Sequence, residues 1–237
     1  MNIAMIIAGG RGVRTRQDIP KQFLSIHDRP VIVYTMQAFQ KHPEIDAILV
    51  VCIDGWQEIL WAYAHQFNIT KMKWITAGGD NGQQSIYNGL VELKKHCDMS
   101  DLVLVHDANR PNVSQEIISN CIAECRLCGS AITVIPCAEA MLLRAKDPNS
   151  SSKVISRDSL ARTQTPQAFP LHKLMWAHEE AQKRGINNSI ASCTLMVELG
   201  EEVHFCSGSE KNIKITTTED IEIFKALLMA RKDDWLK

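Results

Sequence analysis

Arg11, Arg14 and Arg16 crowd a stretch that opens Ala8-Gly9-Gly10-Arg11-Gly12-Val13-Arg14, and Lys21 follows shortly afterwards in Pro20-Lys21-Gln22. Glycine carries no Cβ, so backbone N–H groups in such a loop can turn inward and approach an anion, and several cations at one loop suit a polyphosphate. The loop matches neither common nucleotide motif. Thr15 stands where a dinucleotide loop has its third glycine, and the Gly-Lys-Ser/Thr ending of a P-loop is missing. The same residues would also make a plain solvated basic turn.

Further along, His106-Asp107-Ala108-Asn109-Arg110-Pro111 ends an apolar run in a carboxylate. Mg2+ needs only one or two carboxylates when phosphates supply its other oxygens, so Asp107 alone is enough; an aspartate capping the following turn is the simpler alternative. Gly78-Gly79-Asp80-Asn81-Gly82-Gln83-Gln84-Ser85 opens a helical pattern. Its unsatisfied N–H groups can meet a base or ribose, or can serve an ordinary helix cap. Lys214 lies in the otherwise apolar Ile213-Lys214-Ile215. An unpaired ammonium there is costly, so it should meet an anion, either a substrate phosphate or an internal carboxylate.

These residues need a scaffold that brings them together. An apolar strand over 2–7 feeds the glycine loop and a helix follows over about 30–41. Strand-like runs at 45–53, 72–76, 101–106 and 131–136 then alternate with helical patterns around 56–67, 84–96 and 115–128. The alternation predicts an α/β, Rossmann-like fold, a mostly parallel sheet with helices on both faces and ligands beyond the carboxyl ends of its strands. The polar stretch 137–164 breaks the rhythm, with Pro148-Asn149-Ser150-Ser151-Ser152 between short strand-like pieces at 141–144 and 153–156. It is expected to form a protruding β-hairpin arm. Helices are expected over 171–184, 192–199 and about 218–229, with strands near 202–206 and at 212–216. With no repeat or linker, the expectation is one domain over 1–237, its arm at about 137–165.

Lys plus Arg number 26 against 27 Asp plus Glu. That balance offers no broad field to nucleic acid or an anionic membrane, so any anion must be held locally. The apolar runs are too short to cross a bilayer, and 1–7 leads into a glycine turn rather than a cleavage site, which points to the cytoplasm. Cys52, Cys97, Cys137, Cys193 and Cys206 stand singly in apolar stretches and read as buried thiols. Cys121, Cys125 and Cys128 share a helical face with Ile117 and Ile118, which reads as core before metal.

Ala8-Gly9-Gly10-x-Gly12-x-Arg14 with Pro20-Lys21-Gln22-Phe23 resembles the signature of the cytidylyltransferases that activate 2-C-methyl-D-erythritol 4-phosphate or ribitol 5-phosphate. The likeness continues in order over nearly the whole chain, through 78–85, His106 to Pro111, Thr163-Gln164-Thr165-Pro166-Gln167 and Asn212-Ile213-Lys214-x-Thr216. It implies Mg2+-dependent transfer of CMP from CTP to a polyol phosphate with release of pyrophosphate. Ribitol 5-phosphate is favoured and methylerythritol phosphate is a close second. The resemblance puts Arg14, Lys21 and Lys214 on the reacting phosphates. It puts Ala8, Gly9, Gly10, Arg11, Gly12, Gly79, Asp80, Ser85 and Asp107 on the nucleotide, Asp107 on the metal, and Arg157 and Arg110 on the acceptor.

In relatives the arm reaches across a homodimer, which would bring Arg157 to the neighbouring subunit's acceptor; alternatively Arg157 and Arg162 only solvate an exposed hairpin. The chain also departs from the family. Gly82 replaces an arginine, Ile190-Ala191-Ser192 replaces Thr-Asp and its neighbour, and Ala140 stands where methylerythritol phosphate enzymes have a threonine. A remodelled acceptor site is one consequence. A nucleotidyltransferase for another sugar phosphate or an acidic sugar, and a non-catalytic nucleotide-binding homologue, are the rival readings.

Overall fold

The computed structural model describes residues 1–10, 19–147 and 149–233. In chain order its elements are β1 (Asn2–Ala8), β2 (Ser25–Ile26), β3 (Arg29–Pro30), α1 (Val31–Lys41), β4 (Ala47–Cys52), α2 (Gln57–Gln66), β5 (Met72–Ala77) and α3 (Gly82–Leu93). Then come β6 (Leu102–Asp107), α4 (Gln115–Cys128), β7 (Ala131–Pro136), β8 (Met141–Leu143), β9 (Lys153–Ile155) and β10 (Ala161–Pro170). The chain continues through α5 (Leu171–Lys183), α6 (Ser192–Glu198), β11 (Phe205–Ser207) and α7 (Thr218–Asp233).

Seven strands form the central sheet in the order β11-β7-β10-β6-β1-β4-β5. The first and middle strands are almost wholly apolar because both faces of the sheet are covered. Ala4, Ile6 and Ala8 of β1 share one face with Ile48, Val50 and Cys52 of β4, and α1, α2 and α4 pack there. Ile3 and Met5 share the other face with Leu49 and Val51, under α3, α5 and α6. Each fully buried Ile or Leu contributes about 1.5–3 kcal/mol, so this double-sided burial fixes the strand ends on which the chemistry sits. No helix of the described residues is long and apolar enough to cross a membrane.

Two expectations about elements are corrected. Residues 161–170, which carried no strand expectation, form β10, running antiparallel between β6 and β7. Its pairing to β7 shifts register between Thr163 and Gln167, around Pro166, as befits a residue that cannot donate to a ladder. Residues 212–216, expected as a strand, join no sheet. Side chains and turns satisfy their backbone instead: Arg110 donates to the Asn212 carbonyl at 2.7 Å, and Ile215 N–H donates to the Asn109 carbonyl at 2.8 Å. The expected strand near 202–206 is β11, displaced to 205–207. β8 and β9 do pair as an antiparallel hairpin outside the main sheet, with Met141 opposite Ile155 and Leu143 opposite Lys153.

Candidate active site

The carboxyl ends of β1 and β6, together with the turn after β5, enclose a cavity of about 660 Å³. Ala8, Gly9 and Gly10 form one wall, Lys21 and Gln22 a second, Gly79 to Gly82 with Ser85 a third, and Asp107 and Lys214 the floor between them. The glycine turns touch one another: a Cβ on Gly9 would lie 3.3 Å from the Gly78 Cα and 3.1 Å from the Ser85 hydroxyl. Only bare backbones pack so closely. Buried Gln22 ties the first turn down, donating through Nε2 to the Ala8 and Gly10 carbonyls at 2.7 and 3.1 Å. Ser85 braces the second, accepting from Gly79 N–H at 3.0 Å and donating to the Asn81 carbonyl at 2.8 Å. Its hydroxyl is thus committed to the loop, although Ser85 lines the cavity.

Asp107, the last residue of β6, is the electrostatic centre. Lys214 Nζ lies 3.0 Å from its Oδ2, and Arg110 Nε donates to the same oxygen at 3.1 Å. Burial pushes the Asp107 pKa up, but the Lys214 ammonium and the Arg110 guanidinium more than offset that and hold the carboxyl below its usual range. The internal-carboxylate partner expected for Lys214 is therefore the residue expected to hold a metal. Beside it, fully buried His106 is pushed down to about 4, chiefly by desolvation, and is neutral. Its ring bridges Thr165 Oγ1 at 3.1 Å and the Arg110 carbonyl at 3.1 Å, while Asp107 N–H donates to the same Thr165 oxygen at 3.1 Å. One chain of bonds thereby locks β6, β10 and the turn after β6.

A second cavity, of about 380 Å³, adjoins the first and shares Ile7, Gly82, Asp107 and Lys214 with it. Arg110, residues Thr163 to Thr165 of β10 and Ile190-Ala191-Ser192 are among the rest of its lining.

Of the site residues expected from sequence, Ala8, Gly9, Gly10, Lys21, Gly79, Asp80, Ser85, Asp107 and Lys214 line the larger cavity, and Arg110 lines the smaller. Arg11, Gly12 and Arg14 lie outside the described residues. Arg157 lines neither cavity; its Nη1 donates to the Ala138 carbonyl at 3.0 Å at the base of the hairpin. Sequence reasoning passed over Gln22, Thr165 and Asn212, whose amides and hydroxyl hold the loops. Asn212, for instance, donates to the Thr165 carbonyl at 2.9 Å. All of them stood inside recognised motifs, and that membership was the usable signal.

A family model described as 2-C-methyl-D-erythritol 4-phosphate cytidylyltransferase matches residues 2–230. The chain is 39% identical over 234 residues to a protein of Lacticaseibacillus paracasei named ribitol-5-phosphate cytidylyltransferase, covering 98% of this chain and 100% of the relative. It is 36% identical over 234 residues to a Clostridium acetobutylicum protein named 2-C-methyl-D-erythritol 4-phosphate cytidylyltransferase, covering 96% and 97%. Among solved structures it resembles a 4-diphosphocytidyl-2C-methyl-D-erythritol synthase from Anaerococcus prevotii, with a TM-score of 0.80, 25% identity and 96% of each chain covered.

Proposed function

The chain belongs to the 2-C-methyl-D-erythritol 4-phosphate cytidylyltransferase family, and from that premise we propose that it transfers CMP from CTP to a phosphorylated polyol and releases pyrophosphate. Ribitol 5-phosphate is the favoured acceptor, because relatives bearing that name reach 40% identity against 36% for a methylerythritol phosphate enzyme. The observation that carries the reading is the pair of adjoining cavities that share Asp107 and Lys214. CTP occupies the larger and the polyol phosphate the smaller, and their reacting phosphates meet at Lys214.

A phosphate oxygen of the acceptor attacks the α-phosphorus of CTP; the new P–O bond forms as the bond to the β-phosphate breaks, and that electron pair leaves on pyrophosphate. The acceptor phosphate is already ionised near neutral pH, so no base is needed. The task is to offset repulsion between two polyanions and stabilise charge on the equatorial and leaving oxygens. Lys21 supplies positive charge from a wall of the cavity and Lys214 from its floor, and the family resemblance assigns Arg14 the same task. Arg110 holds Asp107 and faces the acceptor side.

The donor set fits Mg2+. Both cationic contacts of Asp107 fall on Oδ2, and Oδ1 has no partner among the described residues. One carboxylate oxygen plus phosphates suits this ion, which neutralises phosphate charge when bound. We further assign the chain one domain, a cytoplasmic location in keeping with eight free cysteines, and a homodimer joined through the hairpin. Leu142 and Val154 expose 61% and 79% of their surface there, an apolar strip that a second copy would cover.

Pyrophosphate release with CTP, UTP and GTP against a panel of polyol phosphates, sugar phosphates and acidic sugars tests the proposal. Turnover confined to CTP with a polyol phosphate supports it. Preference for another nucleotide or a non-polyol acceptor, or CTP binding without release on any acceptor, rejects it.

A further inference from the structure

The first turn of α3 and the loop that leads into α6 are joined by side chains that no step of the reaction uses. Gln83, buried behind the nucleotide cavity, donates through Nε2 to the Ile186 carbonyl at 2.7 Å and accepts through Oε1 from Ser189 N–H at 2.8 Å. Asn81 adds a third bond: its Oδ1 caps α3 by accepting from Gln84 N–H at 2.8 Å, while its Nδ2 donates to the Asn187 carbonyl at 3.0 Å. Asn81 and Gly82 line the larger cavity, and Ile190-Ala191-Ser192, directly after the clamped loop, line the smaller.

Three further bonds among the described residues hold the loop. Ile186 N–H donates to the Ala181 carbonyl at 2.9 Å, Ala191 N–H donates to the Thr194 hydroxyl at 3.0 Å, and the Ser189 and Thr194 hydroxyls lie 2.8 Å apart. Ile190 is 94% exposed, whereas Ser189 is buried. The register of residues 187–189 is therefore set from α3 and from the start of α6 together. A primary amide carries its donor and its acceptor on separate atoms, so one side chain of this reach can satisfy the Ile186 carbonyl and the Ser189 N–H together, which suits glutamine to this position.

We propose that Gln83 is a positioning residue that couples the two substrate cavities: a nucleotide seated on the first turn of α3 fixes that turn, and Gln83 passes the constraint to the wall that receives the acceptor. The proposal rests on the assignment of the two cavities to CTP and a polyol phosphate. It goes further in making the acceptor wall dependent on the nucleotide, so that CTP prepares the site for its partner.

The test uses the full-length protein, Gln83→Leu, which keeps the bulk and removes both bonds, and Gln83→Glu, which keeps the acceptor but sets an oxygen against the Ile186 carbonyl and so serves if the leucine variant fails to fold. Glu92→Gln is the control, since the Glu92 carboxylate meets Lys95 and His96 at the far end of the same helix and lines neither cavity. With CTP and ribitol 5-phosphate, the Gln83 variants are expected to raise the acceptor KM at saturating CTP at least about tenfold while the CTP dissociation constant measured without acceptor moves less than about twofold, with Glu92→Gln unchanged. Hydrogen exchange with CTP alone supplies a readout independent of turnover. Saturating CTP is expected to slow exchange at amides 186–192 in the wild type and not in the Gln83 variants, although they still bind CTP. Equal protection in wild type and variants, no protection in the wild type, or a weakening of CTP binding without acceptor that matches the rise in acceptor KM overturns the coupling. Absence of pyrophosphate release by the wild type would instead remove the functional reading and leave the exchange experiment to decide the clamp by itself.

Discussion

On the nucleotide side, the cavity wall is made of strand ends and of turns tied down by buried groups: Gln22 on the Ala8 and Gly10 carbonyls, Ser85 on the Gly79 turn, and His106 against Thr165. On the acceptor side, the wall at 190–192 hangs from a loop held through Gln83 and Asn81, with Ile190 in solvent. The first construction gives fixed donors and cations, which is what stabilising a transferring phosphoryl group requires. The second leaves a surface outside the sheet, and it carries Ile190 and Ala191, two of the positions where the sequence departs from the family it resembles; Gly82, shared by both cavities, is another. Rigidity is placed where the chemistry is shared, and latitude where substrates differ.

Removing charge from the rigid side should have the largest effect. Lys21→Ala is expected to lower kcat by about 2–4 kcal/mol of transition-state stabilisation, roughly 30- to 1,000-fold, measured by pyrophosphate release at saturating substrates. A fully active variant would remove Lys21 from the chemistry. Both sides should lose stability in acid, since buried His106 on the first and buried His178 near the second are each pushed down to about 4. His178 on α5 stacks on Tyr87 of α3 beneath the clamp, and burial pushes its pKa down to about 4 from an ordinary 6.5. Between those values the unfolded chain binds the extra proton, so stability from this group is complete above about pH 6.5 and lost as pH falls towards 4. The span is at most about 3 kcal/mol. His178→Phe should flatten the dependence of urea midpoint on pH across that window, and an unchanged slope would count against the buried neutral ring.

Asp107→Asn tests the seam between the two regions. It removes the charge that pairs with Lys214 and the carboxylate offered to Mg2+, so the Mg2+ concentration for half-maximal rate should rise roughly tenfold or more. An unchanged titration would take Asp107 out of the metal site.

The two sides also differed in how far the sequence disclosed them. Lys21 and Asp107 stood in short motifs, Asp107 at the end of an apolar strand and Lys21 in the stretch after the glycine turn, and both line one cavity. Lys214 was placed correctly beside an anion but on an element that does not exist. Ile213 and Ile215 looked like strand residues, yet they pack on Ile26, Val31 and Phe224 in a separate apolar cluster while side chains satisfy the backbone. β10 was hidden for a related reason. Its buried Gln164 and Gln167 look like surface residues until their partners are known, and Pro166 argues against a strand. Contacts such as Gln83 to Ser189 join residues remote in sequence, and nothing local announces them.

The smallest predicted effect concerns a place that belongs to neither side. Ser114 caps α4, its hydroxyl accepting from Ile117 N–H at 3.2 Å, and the helix ends on Gly129 with φ at 74°. Ser114 lines neither cavity. Ser114→Ala leaves the Ile117 donor to water and should cost about 1 kcal/mol of stability, seen as a lower urea midpoint with the same slope. Because α4 packs on β6, β7 and β10, a change in KM for either substrate would mean that the sheet transmits strain from this helix to Asp107. Unchanged kinetics beside a lowered midpoint would confine the sensitivity of the acceptor wall to the α3 side, where Gln83 and Asn81 hold it.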